Sequence, residues 1–177
     1  MRFPDPIPQL VDRLASDLCD RGLRVVTVES CTGGLLGGAF TSHAGISDGY
    51  IGGFITYSND LKIKCVGVSE ETLERWGAVS GHTAIEMAEG GREHTGADLA
   101  IAITGIAGPD GGSEEKPVGT VWIAVASTEW NDCRRFLFPG DRHEVRERSV
   151  AASLKLAIQA IRGDREPLDH EQQSQSA

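Results

Sequence analysis

Apolar positions change period in a regular alternation along the chain. Ile7, Leu10, Val11, Leu14 and Leu18 recur at helical spacing, Asp20-Arg21-Gly22 ends that run, and Leu23 to Val28 reads as a buried strand. Leu35 to Ala44 is helical again, and Gly37 and Gly38 inside it signal close packing against a neighbour. Tyr50 to Tyr57 reads as a strand and Asp60 to Val66 as a short helix. Helices are predicted over Glu70 to Trp76 and Gly81 to His94, the second entered through Ser80 as a cap. Strands return at Asp98 to Thr104, Val118 to Ser127 and Cys133 to Phe138. Asp141 with Glu144 three residues on is a capping box for a last helix whose buried stripe is Val150, Leu154, Ile158 and Ile161.

Strands separated by helices predict a layered sheet with helices on both faces, an α/β fold. Residues 1–163 form one domain, and 164–177, almost without apolar content, form a solvated tail. With 177 residues, 40% of them hydrophobic, the chain suits a single well-buried core. A net charge of −9 argues against nucleic acid and anionic membrane as partners. The first ten residues lack the pattern of a signal peptide, and no apolar run reaches bilayer length, so a cytoplasmic location is expected. Four scattered cysteines form no C-x-x-C pair; Cys19, Cys65 and Cys133 read as small core residues, with Cys31 left open. The five histidines show no paired spacing, so no metal site and no cofactor are expected.

In such sheets ligands sit beyond the carboxyl ends of strands. Two stretches stand there. The first is Glu29-Ser30-Cys31-Thr32-Gly33-Gly34, which brings two possible nucleophiles to the start of a helix. It is neither a dinucleotide fingerprint, nor a P-loop, nor a hydrolase elbow, because the required glycines and lysine are missing. Ser30 or Thr32 as a plain helix cap fits equally. The second is the loop from Gly105 to Pro117, with four glycines and two prolines, a length more common in functional loops.

A third stretch, TYSNDLK, changes the weight of the first. Ser58 or Asn59 as N-cap places Lys62 in the first helical turn, where the positive end of the dipole disfavours its ammonium form. A lysine with a depressed pKa can take the proton of a serine hydroxyl. The alternative is a solvent-facing lysine, which is also how Lys64 reads. Cys31 as nucleophile would need a histidine at either motif, and none is there.

ESCTGG, YSNDLK, GAVS, ITGIAGPDGGSEEKPVGTVW and PGDRHEVR, in this order, closely resemble the CinA C-terminal domain family over roughly residues 8–162. Standalone members of that family are nicotinamide-mononucleotide (NMN) amidohydrolases. The resemblance implies a three-layer α/β/α sandwich that hydrolyses the carboxamide of NMN to nicotinate mononucleotide and ammonia, and a homo-oligomer. It puts the family's serine on Ser30 and its lysine on Lys62; Asp60 stands where the motif usually has Glu.

On this reading Lys62 deprotonates Ser30, and backbone N–H groups of Cys31, Thr32, Gly33 and Gly34 stabilise the oxyanion. Tyr57 either helps position Lys62 or the substrate, or is a core tyrosine. The glycine-rich loop, with Thr104, Gly105, Ile106, Ala107 and Gly108, closes over the nucleotide through its backbone. Arg142, four residues before Arg146, is the candidate for the phosphate, aided by its helix start, unless Glu144 and Glu147 neutralise both arginines. Glu29 is the reserve proton acceptor. A non-catalytic nucleotide-sensing or competence-related partner-binding module with the same pocket is the alternative function.

Overall fold

A computed structural model describes residues 3–163; the tail expected over 164–177 lies outside the described residues. Helix α1 (Ile7–Arg21) leads to β1 (Val25–Glu29), α2 (Leu35–Thr41), a 3-10 turn (Ile46–Asp48) and β2 (Tyr50–Ile55). Then come α3 (Asn59–Val66), α4 (Glu70–Trp76), α5 (Gly81–Thr95), β3 (Leu99–Gly105), β4 (Thr120–Ala126), β5 (Asn131–Leu137) and α6 (Arg142–Arg162). The five strands form one sheet in the order β2-β1-β3-β4-β5. β1 is parallel to both β2 and β3, and β4 and β5 continue antiparallel. No helix of the described residues is long and apolar enough to cross a membrane.

Strand alternation sorts the core into two halves. In β3, Leu99, Ile101 and Ile103 join Val121, Ile123 and Val125 of β4 beneath α1, α2 and α6. On the opposite face the same strands present Ala100, Ala102, Ala124 and Ala126, beneath α3 and α5. Large residues on one side and alanines on the other let α5 approach the sheet closely. A Cβ on Gly91 would run into Val28, and one on Gly90 would overlap the Val66 carbonyl of α3. Gly90→Ala is therefore expected to cost at least about 2 kcal/mol by overpacking, despite the ~1 kcal/mol that alanine contributes to an exposed helix. Denaturant unfolding of the variant checks this; unchanged stability would mean that α3 and α5 can separate freely.

Differences from the expected pattern have local causes. Helix α2 stops at Thr41, where Ser42 turns its hydroxyl onto the Ala39 carbonyl. Gly37 does sit against a neighbour: a Cβ there would lie 2.7 Å from the Tyr50 hydroxyl, which bonds Thr27 Oγ1 at 2.9 Å. In α6 the capping box is present, and Val150, Leu154 and Ile161 are buried, while Ile158 is only partly so. Of the cysteines read as core, Cys133 is buried, Cys65 half-buried and Cys19 exposed, so the last two are corrections.

The chain leaves β1 for β2 over one face and returns to β3 over the other. The sheet order thus reverses at β1 and β3, and a crevice opens beyond their carboxyl ends. Ser30 follows β1 directly, its N–H bonded to the Ile103 carbonyl of β3 at 3.0 Å.

Candidate active site

The alternation that sends Val26 and Val28 toward α3 and α5 also sends Ser30 that way, and Glu29 toward α2. Lys62 meets Ser30 there. Ser58 caps α3 through the Leu61 amide, and the lysine one residue further on is turned inward, 1% exposed. Its Nζ lies 3.1 Å from Ser30 Oγ, 2.8 Å from the Thr56 carbonyl and 3.4 Å from the Tyr57 carbonyl. A neutral amine has two N–H donors and one lone pair. The two carbonyls take the donors, which leaves the lone pair for the serine proton.

Burial pulls the Lys62 pKa down to about 8. The cause therefore differs from the one expected: removal from water comes first, rather than position on the helix dipole. Lys64 points outward and pairs with Asp60 at 2.9 Å. Tyr57 is 62% exposed, so it is not a core residue; it contributes its backbone carbonyl to Lys62. Thr56 was not anticipated, and no sequence signal marks it, because it acts through a carbonyl.

Glu29 is buried and accepts from the amides of Gly34 (3.0 Å), Leu36 (3.1 Å) and Gly37 (2.8 Å). It satisfies the start of α2 and sits across the strand from Lys62, which removes it as the reserve base. It also narrows the expected oxyanion donors. The Gly34 amide is spent on Glu29, and that of Gly33 on the Ser30 carbonyl at 3.1 Å. Among the described residues the amides of Cys31 and Thr32 donate to no other residue, so these two remain.

Burial pushes the Cys31 thiol up to about 11, which keeps it protonated and a poor nucleophile. Cys31→Ala is expected to retain most activity, since it removes a small buried group and leaves both amides; a loss above about a hundredfold in steady-state assays would point to the thiol as nucleophile.

The glycine-rich loop is held from several sides. Thr104 is buried with its hydroxyl on the Ala78 carbonyl (2.7 Å), and Lys116 Nζ holds the Trp76 carbonyl (2.9 Å). Gly105 admits no Cβ, with the Thr120 carbonyl 2.8 Å away from where it would stand. Both backbone groups of Ile106 are engaged, its N–H on the Thr120 carbonyl and its carbonyl by the Gly119 N–H, so its amide is not available to a ligand.

Ala107, Pro109 and Val118 line an open cleft of about 630 Å³, faced by Asp141, Arg142 and Arg146. That volume suits a small molecule of nucleotide size. Arg142 Nη1 holds the Gly108 carbonyl at 2.8 Å, and Arg146 Nη2 holds the Thr32 carbonyl at 2.7 Å. The alternative, neutralisation of both arginines by Glu144 and Glu147, does not occur among the described residues. Glu144 closes the capping box on the Asp141 amide and approaches Arg148, while Glu147 lies 3.0 Å from His143. The helix start is not free either: Asp141 takes the amides of His143 and Glu144. The cationic groups that this cleft presents are thus the two guanidinium groups rather than a free helix start.

The CinA C-terminal domain family matches residues 8–161. A nicotinamide-nucleotide amidohydrolase PncC of Escherichia coli K12 is 49% identical over 148 residues, 83% of this chain and 90% of that protein. A CinA-like protein of Leptospira biflexa is 48% identical over 140 residues, 78% of this chain. The chain spans about a third (34%) of the length of the latter, and the same share of a competence-damage inducible protein of Desulforudis audaxviator, 51% identical. The crystal structure of competence/damage inducible protein CihA from Agrobacterium tumefaciens superposes with a TM-score of 0.88 at 43% identity, covering 92% of this chain and 99% of that one.

Proposed function

This chain belongs to the CinA C-terminal domain family, and from that premise we propose that it hydrolyses the carboxamide of NMN to nicotinate mononucleotide and ammonia through a Ser30–Lys62 pair. The observation that carries the mechanism is the 3.1 Å approach of a buried lysine to Ser30 Oγ, with its other neighbours backbone carbonyls. A module that only binds nucleotide has no use for a lysine lowered to about 8 beside a hydroxyl.

Lys62, neutral, accepts the Ser30 proton as Oγ attacks the amide carbon. The carbonyl oxygen becomes an oxyanion facing the Cys31 and Thr32 amides. The intermediate collapses, the C–N bond breaks, and the Lys62 ammonium returns its proton to the leaving nitrogen, which departs as ammonia. A water molecule, deprotonated by Lys62, then attacks the acyl-serine ester, releasing nicotinate mononucleotide and restoring Ser30. Arg142 holds the phosphate, with Ala107 and Gly108 of the loop against the nucleotide. The enzyme is read as cytoplasmic and homo-oligomeric, needing no cofactor.

The test is ammonia release from NMN by the purified protein in the presence of EDTA. Stoichiometric ammonia and nicotinate mononucleotide are expected at the rate seen without chelator. No release with or without chelator would favour the binding module, and loss restored by a divalent ion would contradict the metal-free mechanism.

A further inference from the structure

Arg146 touches two places at once. It lines the cleft beside Arg142, and its Nη2 donates to the Thr32 carbonyl at 2.7 Å. The same peptide group carries the Gly33 N–H, which donates to the Ser30 carbonyl at 3.1 Å. One peptide plane is therefore gripped at both ends, and it closes the turn that bears Ser30 and the two unspent amides. Gly33 itself has φ of +59°, a conformation that favours glycine, and a Cβ there would stand in ordinary contact with Arg146 Nη2, 3.6 Å away.

The guanidinium is not neutralised locally. No carboxylate pairs with it among the described residues, and its Nε is buried without a partner, as is the hydroxyl of Thr32. Arg142 differs, because its carbonyl contact is to Gly108 on the far loop. The two arginines of one helix face thus divide the work, one tying down the loop and the other the nucleophile turn.

We infer that Arg146 is a positioning residue that couples occupancy of the cleft by the substrate's phosphate to alignment of the Ser30 turn. This rests on the amidase reading above. A phosphate dianion in the cleft makes charge-assisted hydrogen bonds to the guanidinium and fixes it. The fixed guanidinium in turn fixes the Thr32–Gly33 peptide plane, and with it the direction of the Cys31 and Thr32 amides. Binding energy from a part of the substrate remote from the amide is thereby expressed at the reacting carbon.

The experiment measures kcat and KM of the wild type, Arg146→Ala and Arg146→Lys on NMN and on nicotinamide riboside, with and without inorganic phosphite. The wild type is expected to show a kcat for the riboside at least about tenfold below that for NMN, partly restored by phosphite. Arg146→Ala lowers kcat for NMN at least about tenfold, brings the NMN-to-riboside kcat ratio toward one and abolishes the phosphite response. Arg146→Lys recovers part of that response. A raised KM for NMN with unchanged kcat would reduce Arg146 to a phosphate anchor and overturn the inference. Equal losses on both substrates, with their ratio unchanged, would overturn it as merely structural. Wild-type protein that releases no ammonia from NMN overturns the amidase reading itself, so the two failures are told apart by the wild-type arm.

Discussion

Ser30→Ala is expected to lower NMN turnover by about 10⁴- to 10⁶-fold, the range found when the nucleophile of a catalytic unit that acts together is removed. The fold should survive. Ser30 is buried at the end of β1, but its backbone N–H, bonded to Ile103, and its carbonyl, bonded to Gly33, are untouched by the substitution. The single lost contact is to Lys62, whose neutral amine keeps the Thr56 and Tyr57 carbonyls as partners. A melting temperature close to wild type together with lost turnover separates chemistry from stability. Turnover within a hundredfold of wild type would mean that another group attacks the amide.

Lys62→Arg and Lys62→Met are each expected to lose at least about 10³-fold in turnover, for different reasons. Arginine stays protonated at any accessible pH and cannot serve as base; methionine fills the space with no basic atom. In the wild type the active form is the deprotonated amine, so kcat/KM should rise with pH through about 8, the value to which burial brings Lys62. Stability carries the same signature. The folded pKa lies below the unfolded one, near 10.5, so between these values the unfolded chain binds more protons. Stability of the wild type relative to Lys62→Met should therefore climb by about 3 kcal/mol as pH rises from about 8 to 10.5, and stay level below that window. Lys62→Arg with more than about a tenth of wild-type turnover would make the lysine a fixed charge instead of a base.

Periodicity along the chain disclosed the helices because each buries one face only, and β1, β3 and β4 because strands buried on both faces read as near-continuous apolar runs. The stripe of α1 and the capping box of α6 are examples, and ends moved by one to three residues, the most at α2, which stops at Thr41. Ser30 and Lys62 were legible as a pair because one ends a strand and the other follows an N-cap. What local spacing does not carry is how far α3 sinks. Lys62 owes its lowered pKa to burial against Thr56 and Tyr57, which is a property of docking. Glu29 misled for a related reason. Two glycines with positive φ, Gly33 and Gly34, turn the α2 amides back onto the strand that precedes them, and the carboxylate meets donors five to eight residues on. Arg146 stands 114 residues from Thr32, beyond the reach of any local pattern.

The central claim is an acyl-serine formed by loss of ammonia, and partitioning with hydroxylamine tests it most directly. With NMN and increasing hydroxylamine, the account predicts that the hydroxamate of nicotinate mononucleotide appears at the expense of the carboxylate, while ammonia release is not slowed and Ser30→Ala forms neither product. Nicotinate mononucleotide as the sole product of the wild type at every hydroxylamine concentration would mean direct attack by water on the amide, and would contradict it.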